Sequence, residues 1–264
     1  MKSYRFGAVV PFCLLHAAAL YICVATPWTK AGLAWLVGSY ALRMFGVTAG
    51  YHRYFSHRTY KMGRAGQFAM AFLAQTSAQK GILWWACHHR MHHRHSDTEA
   101  DVHSPVKEGF WWSHVGWVLS NEHDDYDPAS VGDFAKYREL RWLDRHHWVP
   151  PVTYAAMLAA AGWQAFLWGY VVASVLLYHC TFSINSLAHV WGSRRFHTLD
   201  GSRNNGVLAL LTLGEGWHNN HHFSPGSCRQ GFRWWEIDIT YYALKILSWL
   251  GVVKDLRPFR EAVL

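Results

Sequence analysis

Charge is scarce in this chain. Of its 264 residues only 16% are Asp, Glu, Lys or Arg, against roughly 25% in soluble globular domains. Cysteine is sparse as well: Cys13, Cys23, Cys87, Cys180 and Cys228 are odd in number and form no Cys-x-x-Cys, which excludes a disulfide framework and a thiolate zinc site. No basic run or nucleic-acid motif accompanies the net charge of +8. Nucleic acid is therefore not expected as a partner, and basic loops beside a membrane account for the charge. No repeat of 20–50 residues, low-complexity tract or linker interrupts the sequence. Lys2 and Arg5 precede an apolar run too long for a cleaved signal peptide, so a retained helix is expected there.

The missing charges leave long apolar runs. Residues 7–28 contain no Asp, Glu, Lys or Arg, and a bilayer span needs about 20 apolar residues. A turn at Pro27-Trp28-Thr29-Lys30 leads to a second run, Ala31 to about Gly50, with Arg43 as its one charge. Trp148–Trp191 is again uncharged and long enough for two spans, with a turn near Gly162–Gly169. The reading is an all-α integral membrane protein of one domain, 1–264. Four transmembrane helices form two hairpins, about 7–50 and 148–191, under a helical cap of residues 51–147 and 192–264. Within the cap, residues 66–87 read as one buried or interfacial helix and 121–145 as a polar loop followed by a charged helix. Ile237–Val253 reads as an interfacial segment because Asp238 and Lys245 interrupt it. The 16 Trp and 13 Tyr suit the two interfaces. Arg53, Arg58, Lys61, Arg64, Arg90 and Arg94 lie in the cap and only Lys30 in the opposite loop, which puts the cap in the cytoplasm.

Histidine is abundant where charge is not, with 19 copies, twelve of them in residues 51–147. Three groups stand at helical spacing: His52 and His57; His89, His92 and His93; His218, His221 and His222. Positions i, i+3 and i+4 share a helix face, so each His-x-x-His-His is expected to aim three imidazoles at a single point. His52 and His57, five apart, lie roughly 140° apart around an α-helix; either the helix ends there or the two rings serve different ions. His189 and Asn185, one turn apart at the end of an apolar run, form a further polar pair. His16, His123, His146, His147 and His197 read as surface or interface residues. His88, His95, His103, His114 and His179 are left open between supporting hydrogen bonds and mere packing. Imidazole suits iron, zinc, copper and nickel alike, so the residues alone do not name the metal.

The stretches His52-Arg-Tyr-Phe-Ser-His57, His89-Arg-Met-His-His93 and His218-Asn-Asn-His-His222 resemble the three histidine boxes of the membrane fatty acid desaturases. Gly46-Val-Thr-Ala-Gly-Tyr-His52, Arg58-Thr-Tyr-Lys61, Ser113-His-Val-Gly-Trp117, Asn185-Ser-Leu-Ala-His189 and Gly214-Glu-Gly-Trp-His218 resemble that family too. The likeness covers roughly residues 40–255 and is strongest to the acyl-CoA Δ9 (stearoyl-CoA type) subgroup. It implies four spans, a cytosolic cap and two iron ions. The implied ligands are His52, His57, His89, His92, His93, His189, His218, His221 and His222, with Asn185 acting through water. It implies O₂ as co-substrate and a cis double bond made in a saturated acyl chain, expected here as an acyl-CoA of 16–18 carbons. The substrate tunnel would match Gln79, Trp85 and Thr181, with Tyr40 and Met44 at its closed end; the bulk of Met44 suggests a preference near sixteen carbons.

That chemistry is consistent with elementary physics. A methylene has no acidic proton and no leaving group, so side-chain acids and bases cannot attack it, and a strongly oxidising metal centre must. The protein contributes ligands, an apolar slot and positioning. The chain departs from the animal pattern at Cys87-His88 and Lys107-Glu108, where CoA-contacting basic residues would stand, so lipid-bound or carrier-protein-bound acyl chains stay open. No fused electron-transfer module is expected. The expected partners are therefore membrane lipids and a separate ferredoxin, rubredoxin or cytochrome b5 type donor with its reductase. The expected location is a bacterial plasma membrane. The competing readings are a lipid or alkane hydroxylase on the same scaffold and, more distantly, a metal-binding or transport protein.

Overall fold

The computed structural model describes residues 2–259, and they form a mostly helical fold with one two-stranded ribbon. The ribbon pairs Lys61–Met62 with Val253–Lys254 and ties the end of the chain to the cap. Two helices are long and apolar enough to cross a membrane: α1, Phe6–Ala25, and the run Ala165–Val190. The expected second and third spans differ from these. The run after the first turn is α2, Lys30–Phe45, and it continues without a break as a π-helix, Gly46–Ser56. The helix Val149–Ala161 has 13 residues, about 20 Å of rise where a hydrocarbon core measures about 30 Å. α2, α1 and the helix Val149–Ala161 all pack on the π-helical stretch Ala165–Val172.

Local chemistry sets the boundaries. Thr29 caps α2 by accepting a hydrogen bond from Gly32 N at 3.0 Å. The reversal after Val149–Ala161 is a single residue, Gly162, whose φ of +132° only glycine adopts without strain; Gly169 lies inside the next helix instead of in the turn. Arg43 is fully buried within the bundle, where it donates to Ser174 Oγ at 2.8 Å and to the Thr76 carbonyl at 3.2 Å. At the other end, Arg5 N donates to the Leu119 carbonyl and fastens the start of α1 to the cap.

Residues 66–87 are two helices, not one. α3, Arg64–Gln75, and α4, Ile82–His95, are separated by a loop in which Ala78 and Lys80 take positive φ. The break is held from outside: Asp144 Oδ1 accepts from Leu83 N at 2.7 Å and Trp84 N at 3.1 Å. A Cβ on Gly81 would stand 2.1 Å from that carboxylate oxygen, so only glycine fits. The last helix, Ile239–Trp249, begins with Asp238 accepting from Tyr241 N at 2.9 Å. Asp238 is not interfacial; it is fully buried and faces Arg53.

Candidate metal centre

The π-helix resolves the spacing of His52 and His57. Its hydrogen bonds run between residues five apart, and His57 N donates to the His52 carbonyl at 3.2 Å. Both rings therefore fall on one face, 4.8 Å apart, and point at one place. The helix neither ends between them nor sends them to different ions.

Each His-x-x-His-His divides instead of converging. His89 and His93, one turn apart on α4, join His52, His57 and His221 in one group; His92 turns to a second group with His189, His218 and His222. On the short helix His218–Phe223 the same division recurs, with His218 and His222 on one side and His221 on the other. The i and i+4 rings share a face, while the ring between them lies far enough around the helix to reach the neighbouring group. The two groups adjoin: the rings of His93 and His222 are 4.4 Å apart.

Carboxylates stand behind the rings. His92 Nδ1 lies 3.0 Å from Asp101, His189 Nδ1 2.9 Å from Asp97, and His222 Nδ1 2.8 Å from Asp200. His52 Nδ1 is 2.6 Å from Glu215, which also accepts from the buried Arg53 at 3.0 Å. Each carboxylate accepts a hydrogen bond from Nδ1–H, which fixes the tautomer and leaves the Nε2 lone pair facing inward. Burial alone would raise Asp97, Asp101, Asp200 and Glu215, but hydrogen-bond donors and facing imidazoles, and for Glu215 the Arg53 guanidinium, outweigh it. All four sit below the usual carboxylate range, Asp97 at about 2. Burial, and then the fields of neighbouring imidazoles, hold His57, His89, His93, His218 and His221 well below the usual histidine range. Burial likewise brings His222 to about 4 although Asp200 opposes it. These six rings are neutral at pH 7, the state in which imidazole binds a metal.

Nitrogens crowd together at the centre. Nε2 atoms approach at 3.0 Å in His52–His221, 2.8 Å in His57–His89, 2.9 Å in His93–His221 and 3.0 Å in His189–His218. Two nitrogen ligands about 2.1 Å from one ion and at right angles to each other lie about 3.0 Å apart. His222 Nε2 is buried and has no hydrogen-bond partner. Inward lone pairs at ligand spacing fit two adjoining metal ions, and an all-imidazole set suits a transition metal rather than calcium or magnesium.

Beside the groups lies a mostly apolar cavity of about 490 Å³, lined by His89, Asn185, Gln79, Trp85 and Thr181 among others. Gln79 Nε2 donates to Thr181 Oγ1 at 3.2 Å, and Trp85 stacks on His89 at 4.8 Å. Tyr40 and Met44 lie outside this lining: Tyr40 donates to the Leu211 carbonyl at 2.5 Å and Met44 is buried in the neighbouring core. Along α1 the lining includes Gly7, Ala8, Pro11, Phe12 and Leu15.

Several residues escaped the sequence reading. Asp97, Asp101, Asp200 and Glu215 carried no spacing signal, although Glu215 stands in a stretch already singled out. Gln230 sits 3.4 Å from Nδ1 of both His52 and His221. Among the histidines left open, His103 stacks on His92 at 4.4 Å and His88 lines the cavity. His16 is no surface residue: its Nε2 lies 2.9 Å from His179 Nε2, whose Nδ1 lies 2.9 Å from His114, so three rings clasp α1 to the bundle. His147 lines the cavity mouth; His197 is exposed.

The family model for fatty acid desaturase matches residues 26–246. The chain is 37% identical over 262 residues to an sn-2 palmitoyl-lipid 9-desaturase of Nostoc sp. (strain 36), covering 96% of this chain and 90% of that protein. It is 36% identical over 250 residues to an acyl-CoA C20 Delta5-desaturase of Anemone leveillei, covering 92% and 78%. To an sn-1 stearoyl-lipid 9-desaturase of Anabaena variabilis it is 34% identical over 252 residues, covering 92% and 90%.

Proposed function

The chain belongs to the fatty acid desaturase family and is an oxidoreductase, and from that premise we propose that it introduces a cis double bond at Δ9 of a saturated acyl chain of 16–18 carbons. The reaction removes one hydrogen from each of two adjacent methylenes and reduces O₂ to two waters. It draws two electrons and two protons from outside. The observation that carries this reading is the set of nine imidazoles in two adjoining groups at the wall of an apolar cavity.

His52, His57, His89, His93 and His221 would hold one iron; His92, His189, His218 and His222 the other, with Asn185 reaching it through water. Bound there, the iron pair supplies O₂ activation and the oxidising power that methylene groups demand. The chain's own residues do the rest. The carboxylates fix ring tautomers, the cavity keeps bulk water from the reacting carbons, and Gln79 and Thr181 shape the path of the alkyl chain. Methylenes offer no polar handle, so position along the chain is set by where the slot bends and ends; Tyr40 and Met44, which lie beyond the cavity lining, are proposed as the end of a slot that continues past it.

The membrane arrangement completes the reading. α1 and Ala165–Val190 cross the bilayer, and α2 with Val149–Ala161 complete two hairpins whose ends meet the cap on the cytoplasmic side of a bacterial plasma membrane. A separate ferredoxin, rubredoxin or cytochrome b5 type protein delivers electrons to the cap. Gas chromatography of lipids from cells expressing the chain tests the proposal. New cis monoenes are expected; hydroxylated lipids would favour the hydroxylase reading, and unchanged lipids with iron bound would reject both. Relatives named for acyl-CoA and for acyl-lipid substrates stand at nearly equal identity, so the carrier turns on the mouth of the cavity.

A further inference from the structure

One stretch of the cavity wall is strained and tied down from outside. Between α3 and α4, Ala78 and Lys80 take φ of +56° and +65°, with Gln79 between them, and all three line the apolar cavity. Neither strained residue is glycine, so each keeps its left-handed conformation only because the surroundings impose it. Alternate carbonyls of the loop supply the ties. The Thr76 carbonyl accepts from Arg43 Nε at 3.2 Å, the Ala78 carbonyl from the Tyr178 hydroxyl at 3.3 Å, and the Lys80 carbonyl from the Tyr51 hydroxyl at 2.5 Å.

The two tyrosines stand on elements that also carry the imidazoles. Tyr51 precedes His52 on the π-helix Gly46–Ser56, is fully buried, and stacks on Trp85 at 5.2 Å, which stacks in turn on His89. Tyr178 belongs to the run Ala165–Val190, which also carries Thr181, Asn185 and His189. The loop is thereby referenced to both groups: by Tyr51 to the helix of His52 and His57 in the five-ring group, and by Tyr178 to the helix of His189 in the four-ring group. An alkyl chain gives the protein only shape to grip, so the methylenes that reach the centre depend on where this wall stands relative to the imidazoles. A misplacement of about 1 Å can cost a positioned reaction roughly 100-fold, and it is close to the step from one methylene to the next. With its ties cut, a loop strained at two residues is free to relax by that much.

We propose that Tyr51 and Tyr178 are positioning residues that select the site of oxidation: their hydroxyls hold the strained loop, and the loop sets where an alkyl chain lies against the imidazole groups. The inference rests on the desaturase reading and adds to it what fixes the double-bond position. The test expresses Tyr51→Phe and Tyr178→Phe, which keep both rings and remove only the hydroxyls, and locates double bonds by mass spectrometry of derivatised monoenes. Isomers displaced along the chain are expected to rise roughly fivefold or more over the unaltered protein, with both ions still bound. Tyr60→Phe is the control, because its buried hydroxyl also donates to a carbonyl, that of Ala49 at 2.8 Å, away from the loop; it should lower the melting temperature and leave the bond position alone. Hydrogen exchange gives a readout independent of turnover: residues 76–81 should exchange roughly fivefold faster in the two loop variants, and unchanged exchange there would count against the ties. An unchanged isomer ratio in either variant would remove that tyrosine from the role. An equal shift in Tyr60→Phe, or loss of an ion from the loop variants, would overturn the assignment as a general effect on stability. Hydroxylated products would overturn the desaturase reading instead, and the carbon bearing the hydroxyl would still score the tyrosines.

Discussion

The two imidazole groups share two helices, α4 and His218–Phe223, yet are supported differently. The five-ring group has one carboxylate behind it, Glu215 on His52, and the amide of Gln230 near His52 and His221. The four-ring group has three, Asp97, Asp101 and Asp200. It has fewer nitrogens and more negative charge one ring away. A carboxylate on Nδ1 makes the imidazole a stronger donor and offsets the charge of the ion it binds. The group short of ligands is thus the one reinforced from behind.

Removing a ring tests the division most severely. His218→Ala is expected to abolish desaturation and reduce bound metal from two ions to one, and His93→Ala to do the same for the other ion. Metal analysis alongside activity checks this; loss of both ions in each variant would show that the groups are one unit. The carboxylates come next. Asp200→Asn should weaken metal binding by roughly 10–100-fold, acting on the four-ring ion alone, as read by competition with a chelator. Glu215→Gln should act on the other ion and also lower the melting temperature, because Arg53 is fully buried and loses one of its two carboxylates.

Acid should probe both groups more gently. Buried neutral rings bind protons less readily than the unfolded chain does, so metal-free stability falls as pH drops below the ordinary histidine value of 6.5. The loss continues down to the folded-state values, about 4 for His222, with His57, His89, His93, His218 and His221 also held well below the ordinary value by burial. Proton competition should therefore strip metal from both groups only below the ordinary histidine range, visible as falling metal content as the pH drops from 6.5; full release already at pH 7 would contradict the neutral, buried rings. The smallest effect belongs to Met44→Ala, which leaves both groups intact and should shift product chain length upward from about sixteen carbons. An unchanged profile would remove Met44 from the end of the slot.

Much of this centre was legible in the sequence, and what was not has identifiable causes. The nine rings announce themselves because helical spacing is local and a cluster of imidazoles is rare by chance. Their division into two groups was hidden because i+3 and i+4 seem equivalent on paper; only the approach of two helices from different sides separates His92 from His93. The pairing of His52 with His57 depends on a π-helix that no local residue type signals. Asp97, Asp101 and Asp200 lie in turns among other charges, and Asp144 acts on a helix start some sixty residues earlier in the chain. The apolar runs showed where helices lie but overstated their spans, since Val149–Ala161 stops at Gly162.

The π-helical turn has a consequence for how such a gene can vary. Every residue of Gly46–Ser56 is buried, with Arg53 held by Glu215 and Asp238, so packing limits which residues can stand there, and the count between His52 and His57 is fixed as well. Deleting one residue there would return the segment to an ordinary α-helical winding with the rings at i and i+4, and would rotate everything downstream, Arg58 and the ribbon at Lys61 included, against the rest of the cap. Descent through this stretch can exchange only side chains that fit the same packing; a change of length is closed.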